Sequence, residues 1–297
     1  MKLVIIKVLV FIGLFFAADF MAGMVINHFY TSSKNINLRD TNYGFSGDVQ
    51  DDILIFGASE LSHALISNRI TEKTGLSTYN LACDACSIYY QYPMLETILE
   101  EHVPKAIVIS SNQMNEESLR YITKLYPFYD KNRHVKHMVD TLRPKEYLKL
   151  ALHGYVYNSK LIRVFDSKDD NLNGYVPLPP EEMKIDPSDI EELADGKNNP
   201  ITDDTENYFR KFVQKATAKG VNVYVCVPPV LQKMNGDYRA KMTAIVEATG
   251  AKIIDFSKNR TFLTRAALFF DQTHLNDDGA KVMTDRVVEI LKEDGVY

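Results

Sequence analysis

The sequence predicts an α/β protein: a doubly wound, three-layer α/β/α fold on a five-stranded parallel sheet, with a membrane-length helix in front and a mainly helical insertion. Two observations predict it. Short apolar runs alternate with helix-patterned segments along most of the 297 residues. Five such strands, each followed by a helix, require a parallel sheet covered on both faces and wound by right-handed crossovers.

Residues 8–26 (VLVFIGLFFAADFMAGMVI) are apolar except for Asp19 and follow Lys2 and Lys7. Length and flanks fit either a single spanning helix or a cleaved signal with a site near Phe16–Ala18. The run continues past those alanines to Ile26, which favours an uncleaved anchor over residues 1–27. The two lysines then place the N-terminus in the cytoplasm and the body outside it; cleavage would instead leave a secreted or periplasmic protein. Asp19 is costly in lipid, and either a partner helix or a cleaved signal accounts for it. Residues 28–50 are polar and turn-rich and read as a linker to an α/β domain over 51–297.

Within the domain, Asp52–Phe56 (DILIF) reads as the first strand and Leu61–Thr74 as its helix. Ser77–Ala82 is the second strand, followed by a helix from about Ile88 to Glu101; Lys105–Ser110 (KAIVIS) is the third strand. A helix over Asp204–Lys219 stops at Gly220, and Val221–Val227 (VNVYVCV) is the fourth strand. The helix Tyr238–Thr249 stops at Gly250, Ala251–Phe256 is the fifth strand, and Asp277–Glu293 is the last helix, with Asp277 or Asp278 as its expected N-cap. The segment from about 113 to 203 breaks this rhythm. Its first part, to about Phe165, looks helical; residues 166–203 are polar, acidic and proline-bearing, as lids and specificity elements often are.

Ligands of doubly wound sheets bind outside the carboxyl ends of the strands. Ser59 follows strand one, Asn112 strand three, and Asp271 and His274 strand five, so all four fall on that edge. A serine at a strand-to-helix turn, with an Asp-x-x-His elsewhere, supplies a nucleophile, a base and a carboxylate that orients the base. The structural alternatives are a helix-starting Ser59, a polar turn at 271–274 and an ordinary turn residue at Asn112. His63 reads as a helix-surface residue, and Glu60 has no assigned role.

With these residues in view, the chain resembles the SGNH (GDSL-like) hydrolase superfamily over about 50–293, apart from the insertion. The first block is Gly57-Ala58-Ser59, with alanine where the family has aspartate. The last block, Asp271-Gln-Thr-His274, is a close match. The second block, Asn80–Cys86, carries Ala82 or Ala85 where a glycine N–H is usual. The third, Ser110-Ser111-Asn112-Gln113, keeps the asparagine of G-x-N-D. The resemblance implies a catalytic triad of Ser59, His274 and Asp271, and an oxyanion hole from the Ser59 N–H, an N–H near Ala85 and the Asn112 side chain. It implies action on ester-linked acyl groups, with O-acetyl groups of extracytoplasmic glycans as the expected substrates, by hydrolysis or by transfer. The competing reading is a weak or inactive member that supports surface polysaccharide assembly or export.

Other classes are less well supported. A net charge of -5 and a pI near 5.8 argue against nucleic acid. Three cysteines are too few for a disulfide scaffold. Cys83-x-x-Cys86 reads as small apolar positions, with a local disulfide or thiol redox role as alternatives; the redox role needs both sulfurs near the surface. His134 and His137 have metal-ligand spacing without an evident third ligand, and His153 stands alone in the insertion. No metal or cofactor is expected.

Overall fold

β1 is apolar throughout and the central strands nearly so, which requires cover on both faces of the sheet, and two apolar cores supply it. A computed structural model describes residues 1–33, 35–115, 119–157, 172–180, 200–231 and 236–297. The strands are β1 (Ile53–Phe56), β2 (Thr78–Asn80), β3 (Ala106–Ser110), β4 (Asn222–Val227) and β5 (Lys252–Asp255). They pair in parallel in the order β2-β1-β3-β4-β5. Alternation splits them cleanly: Leu54, Phe56, Ile107, Ile109, Val223 and Val225 face one core. Ile53, Ile55, Ala106, Val108, Tyr224 and Cys226 face the other.

The first core is covered by α5 (Ile88–Glu101) together with helices named below, and the second by α4 (Ser67–Thr74) and the C-terminal helix Asp277–Glu293. The chain leaves β1 toward β2 and then returns to β3 on the other side. The switch point therefore lies between the carboxyl ends of β1 and β3, where a crevice forms.

Three expectations are corrected. The helix expected over Leu61–Thr74 is two helices, α3 (Ser59–Ser62) and α4, because tertiary partners take the carbonyls that would continue it. Asn80 Nδ2 donates to Leu61 O and Leu65 O at 2.9 and 3.0 Å, and the Val176 N–H donates to Ser62 O at 2.9 Å. The linker expected over 28–50 is folded: α2 (Ile36–Ser46) is capped by Asn35, and Leu38, Phe45 and Val49 enter the first core. Polar composition hid this, because only a few buried side chains do the packing. At the last helix, Asn276 is the N-cap, accepting the Asp278 and Gly279 N–H groups at 3.1 and 3.0 Å, rather than Asp277 or Asp278.

α1 (Lys2–Thr31) is long and apolar enough to cross a membrane. The first part of the insertion is helical where described: a 3-10 stretch Leu119–Phe128, then α6 (Arg133–Leu142), α7 (Tyr147–Leu150) and α8 (His153–Val156); residues 172–180 run without helix or strand. Most of the polar part, residues 166–171 and 181–199, lies outside the described residues, as do residues 158–165 of the part expected to be helical. The remaining helices are α9 (Asp203–Thr217), α10 (Gly236–Thr249), α11 (Arg260–Leu263) and α12 (Asp277–Glu293).

Candidate active site

Ser59 begins α3 three residues beyond β1, in a turn that Gly57 makes possible. A Cβ on Gly57 would stand 3.1 Å from Ser110 Cβ and 3.3 Å from Leu61 Cβ. Buried Gln91 secures the same turn by donating to Gly57 O at 2.7 Å. The Ser59 turn is thus pressed between β3, α3 and α5.

From β5 the chain crosses back over the carboxyl edge of the sheet through α11 and a tight turn closed by the Phe269–Leu275 bridge. In that turn Asp271 accepts the backbone N–H groups of Thr273 and His274, both at 2.8 Å. His274 Nδ1 lies 2.8 Å from Asp271 Oδ2 and 3.0 Å from Oδ1. A nitrogen facing a carboxylate carries the proton, so Nε2 is the bare, accepting nitrogen. Ser59 Oγ sits 2.8 Å from it. Burial pushes the Asp271 carboxyl up, but the His274 and Thr273 hydrogen bonds outweigh it and hold the group below the ordinary aspartate range. Asp271 therefore stays ionised beside the imidazole.

The loop after β2 reaches the same place. The Cys83 N–H donates to Gly57 O at 3.0 Å, and Ser62 Oγ donates to Asp84 Oδ1 at 3.2 Å. Ala85, next along, has φ +53°. A side chain in this left-handed region costs about 1–2 kcal/mol, and the glycine usual in the resembled family would avoid that cost. Among the described residues no acceptor takes the Ala85 N–H. Asn112 lies in the 3-10 turn Ser111–Met114 after β3. Register puts Phe56 beside Ile109, so Ser59 and Asn112 are each three residues past paired strand positions.

Several residues that hold these loops had no assigned role from sequence. Ser110 Oγ donates to the buried Glu60 at 2.5 Å and accepts the Asn112 N–H at 3.2 Å, joining α3 to the Asn112 turn. Gln113 Nε2 donates to Cys86 O at 3.1 Å. Lys124, from the insertion, donates to Asp84 O and lies 3.3 and 3.5 Å from the sulfurs of Cys83 and Cys86. The Cys86 hydrogen bond, with help from Lys124, lowers the Cys83 pKa against the effect of burial, while burial raises that of Cys86. Both cysteines are free thiols and buried, so the redox reading lacks the surface sulfurs it needs. Glu60 directly follows the first block and Ser110 opens the third, which is the only signal the sequence offered. Lys124 had none.

His63 is also corrected. It is buried, not on a helix surface; its Nδ1–H donates to Val176 O at 2.7 Å and its ring meets that of His274 edge-on at 5.4 Å. Burial lowers its pKa against the pull of the Val176 carbonyl and Asp84, so it packs there as a neutral ring. Val176 belongs to the described piece of the insertion, residues 172–180. This strap is also bound by Asn173 O accepting the Asn80 N–H and Leu178 O accepting the Asp277 N–H, both at 2.9 Å. His134 lies between Glu96 and Glu100 at 3.3 and 2.5 Å, on the helices away from this site.

No protein-family model and no curated protein matches the chain. Solved structures similar to it include the Bacillus subtilis protein YxiM, at 13% identity over 83% of this chain with a TM-score of 0.43. The chain spans 57% of that protein's length. A lipase/acylhydrolase from Enterococcus faecalis is 12% identical over 82% of this chain and 95% of its own, with a TM-score of 0.39. The psychrotrophic esterase EstA from Pseudoalteromonas sp. is 13% identical over 82% of this chain and 98% of its own, with a TM-score of 0.41.

Proposed function

We propose that this chain is an SGNH-type serine esterase or O-acyltransferase. The observation that carries the reading is the unbroken relay from Ser59 Oγ through His274 to Asp271, at 2.8 Å in each step. A helix start or a polar turn alone would not require the two ends to meet across 215 residues.

In the proposed reaction, Ser59 Oγ attacks an ester carbonyl while His274 Nε2 takes its proton. Ionised Asp271 fixes the tautomer and stabilises the imidazolium. The carbonyl oxygen becomes an oxyanion, for which the Ser59 N–H, the Ala85 N–H and the Asn112 amide are the proposed donors. As the tetrahedral intermediate collapses, the C–O bond to the alcohol breaks and His274 returns the proton to the leaving alkoxide. Acyl-Ser59 remains. Water then attacks it in hydrolysis, or a sugar hydroxyl in transfer, with His274 again taking and returning a proton. A membrane-length α1 with lysines at its start supports an extracytoplasmic domain acting on O-acylated, especially O-acetylated, glycans.

Fluorophosphonate labelling of the detergent-solubilised protein tests this. Labelling is expected in the wild type and absent in Ser59→Ala and His274→Ala. A folded wild-type protein that takes no label, and releases no acetate from acetylated sugars, would overturn the reading.

A further inference from the structure

Asp19 is the acidic residue in an otherwise apolar stretch of α1, where lipid would make a carboxylate costly. The structure gives it a different neighbour. Its Oδ2 accepts the His153 N–H at 2.6 Å and its Oδ1 the Gly154 N–H at 3.0 Å, at the start of α8, whose own N-cap residue, Leu152, makes no side-chain cap. A turn further on, Gly23 is buried, and a Cβ there would stand 2.4 Å from His153 Cβ. Asn27 Oδ1 accepts Tyr157 Oη and Lys131 Nζ at 2.7 and 2.5 Å. Tyr30 is buried against Phe128 and Tyr157. Positions 19, 23, 27 and 30 form one helical stripe, so the second half of α1 is docked on the domain.

The first half is bare, with its large apolar side chains exposed from Leu3 to Phe16. From Lys2 to Ala18 it is about 17 residues, about 25 Å of helix, which is near the shortest length that crosses a bilayer core. The docking therefore begins where the hydrocarbon ends, and α7 lies only two residues before α8. Among the described residues outside α1, the two most exposed large hydrophobic ones are neighbours on α7: Tyr147 at 57% and Leu148 at 66%. Exposed Lys145 and Lys149 flank them, Lys149 also pairing with Glu146 at 2.9 Å. An aromatic and an aliphatic side chain between two ammonium groups is the composition of a segment lying in the headgroup layer.

We infer that α7 is a membrane-surface contact: Asp19 ties α8 to α1, and Tyr147 and Leu148 enter the headgroup layer of the bilayer that α1 crosses, with the two lysines facing lipid phosphates. The domain would then be held in one orientation on the phospholipid surface. This rests on the membrane-spanning reading of α1, and the test separates the two.

The full-length protein is placed in vesicles of phosphatidylcholine and phosphatidylglycerol containing headgroup nitroxide lipids. A fluorophore is attached at Leu148→Cys or, as control, at Glu72→Cys on α4, across the sheet; the native cysteines are buried. Quenching at 148 is expected to exceed that at 72 by about twofold or more, and Asp19→Leu is expected to abolish the excess. Equal quenching at both positions, in protein that alkaline carbonate does not extract, would overturn the α7 contact and leave the anchor standing. Extraction of the wild type by carbonate would remove the anchor and the inference with it.

Discussion

Two loops meet at Ser59, and they are built in opposite ways. The turn that carries His274 is nearly self-sufficient: Asp271 binds two backbone N–H groups and the imidazole of its own turn, and the Phe269–Leu275 bridge closes it. The 80–86 loop is held from outside, by Gly57, Ser62, Gln113 and Lys124. Its Ala85 sits in a conformation that a side chain disfavours. The proposed base is thus positioned by its neighbours in sequence, and the proposed oxyanion donor by residues from four other segments. Substitutions far from the reacting atoms should therefore reach the second loop and spare the first.

The largest break is at the relay itself. Ser59→Ala should lower kcat/KM by about 10⁴-fold or more with little change in stability, and Asp271→Asn by about 10³–10⁴-fold through loss of the tautomer. Steady-state kinetics on an aryl acetate, alongside thermal unfolding, would check both. A folded Ser59→Ala variant with full activity would move the chemistry elsewhere.

Lys124→Met sharpens the comparison. It leaves the Asp84 carbonyl without its ammonium and frees the loop beneath Ala85. We expect kcat to fall about 10- to 100-fold, less than the about 10²–10³-fold seen for outright loss of an oxyanion donor, with KM unchanged and partial rescue by Lys124→Arg. An equal change in KM would mean that the lysine shapes substrate binding instead.

Next is the strap. Gly174 has φ +83°, and a Cβ there would stand 1.8 Å from Asn80 O. Gly174→Ala should cost about 2–3 kcal/mol in denaturant unfolding and loosen the Val176 contacts to Ser62 and His63. A neutral result would mean that the strap is not part of the stable fold.

The smallest effect lies behind the site, where Arg69 on α4 grips Asp285 on α12 through two hydrogen bonds of 2.6 and 2.8 Å. That bond to Arg69 first, and then Lys73, bring the Asp285 pKa down to about 2. A depressed carboxyl stabilises the fold above its unfolded pKa, near 4, and the contribution is lost as pH falls toward 2. The pair is about a third exposed, so after screening Asp285→Asn should cost about 1 kcal/mol or less at pH 7. The gap to wild type should close between about pH 5 and pH 2. A gap independent of pH would assign the loss to packing.

The strands and most helices were legible because their signals are local. β3 to β5 fall within a residue or so of the apolar runs, and α12 begins and ends where the pattern does. The break between α3 and α4 was not legible, because Asn80 and Val176 impose it from elsewhere. α2 was missed because its burial is confined to a few side chains in a polar segment. His63 read as a surface residue because the strap that covers it is more than a hundred residues away. Asp19 raised a question in the sequence that only its contact with His153 and Gly154 answers.

By itself, then, the sequence determined the periodicities, the helix stops and the Asp-x-x-His turn, since each is settled by backbone and side-chain preferences over a few neighbouring residues. Tertiary structure alone decided that His274 meets Ser59, that Lys124 supports the Ala85 loop and that half of α1 belongs to the domain. Those contacts join segments far apart in the chain. Their hydrogen bonds exist only after the sheet and its two covering layers have packed and fixed the distances between them.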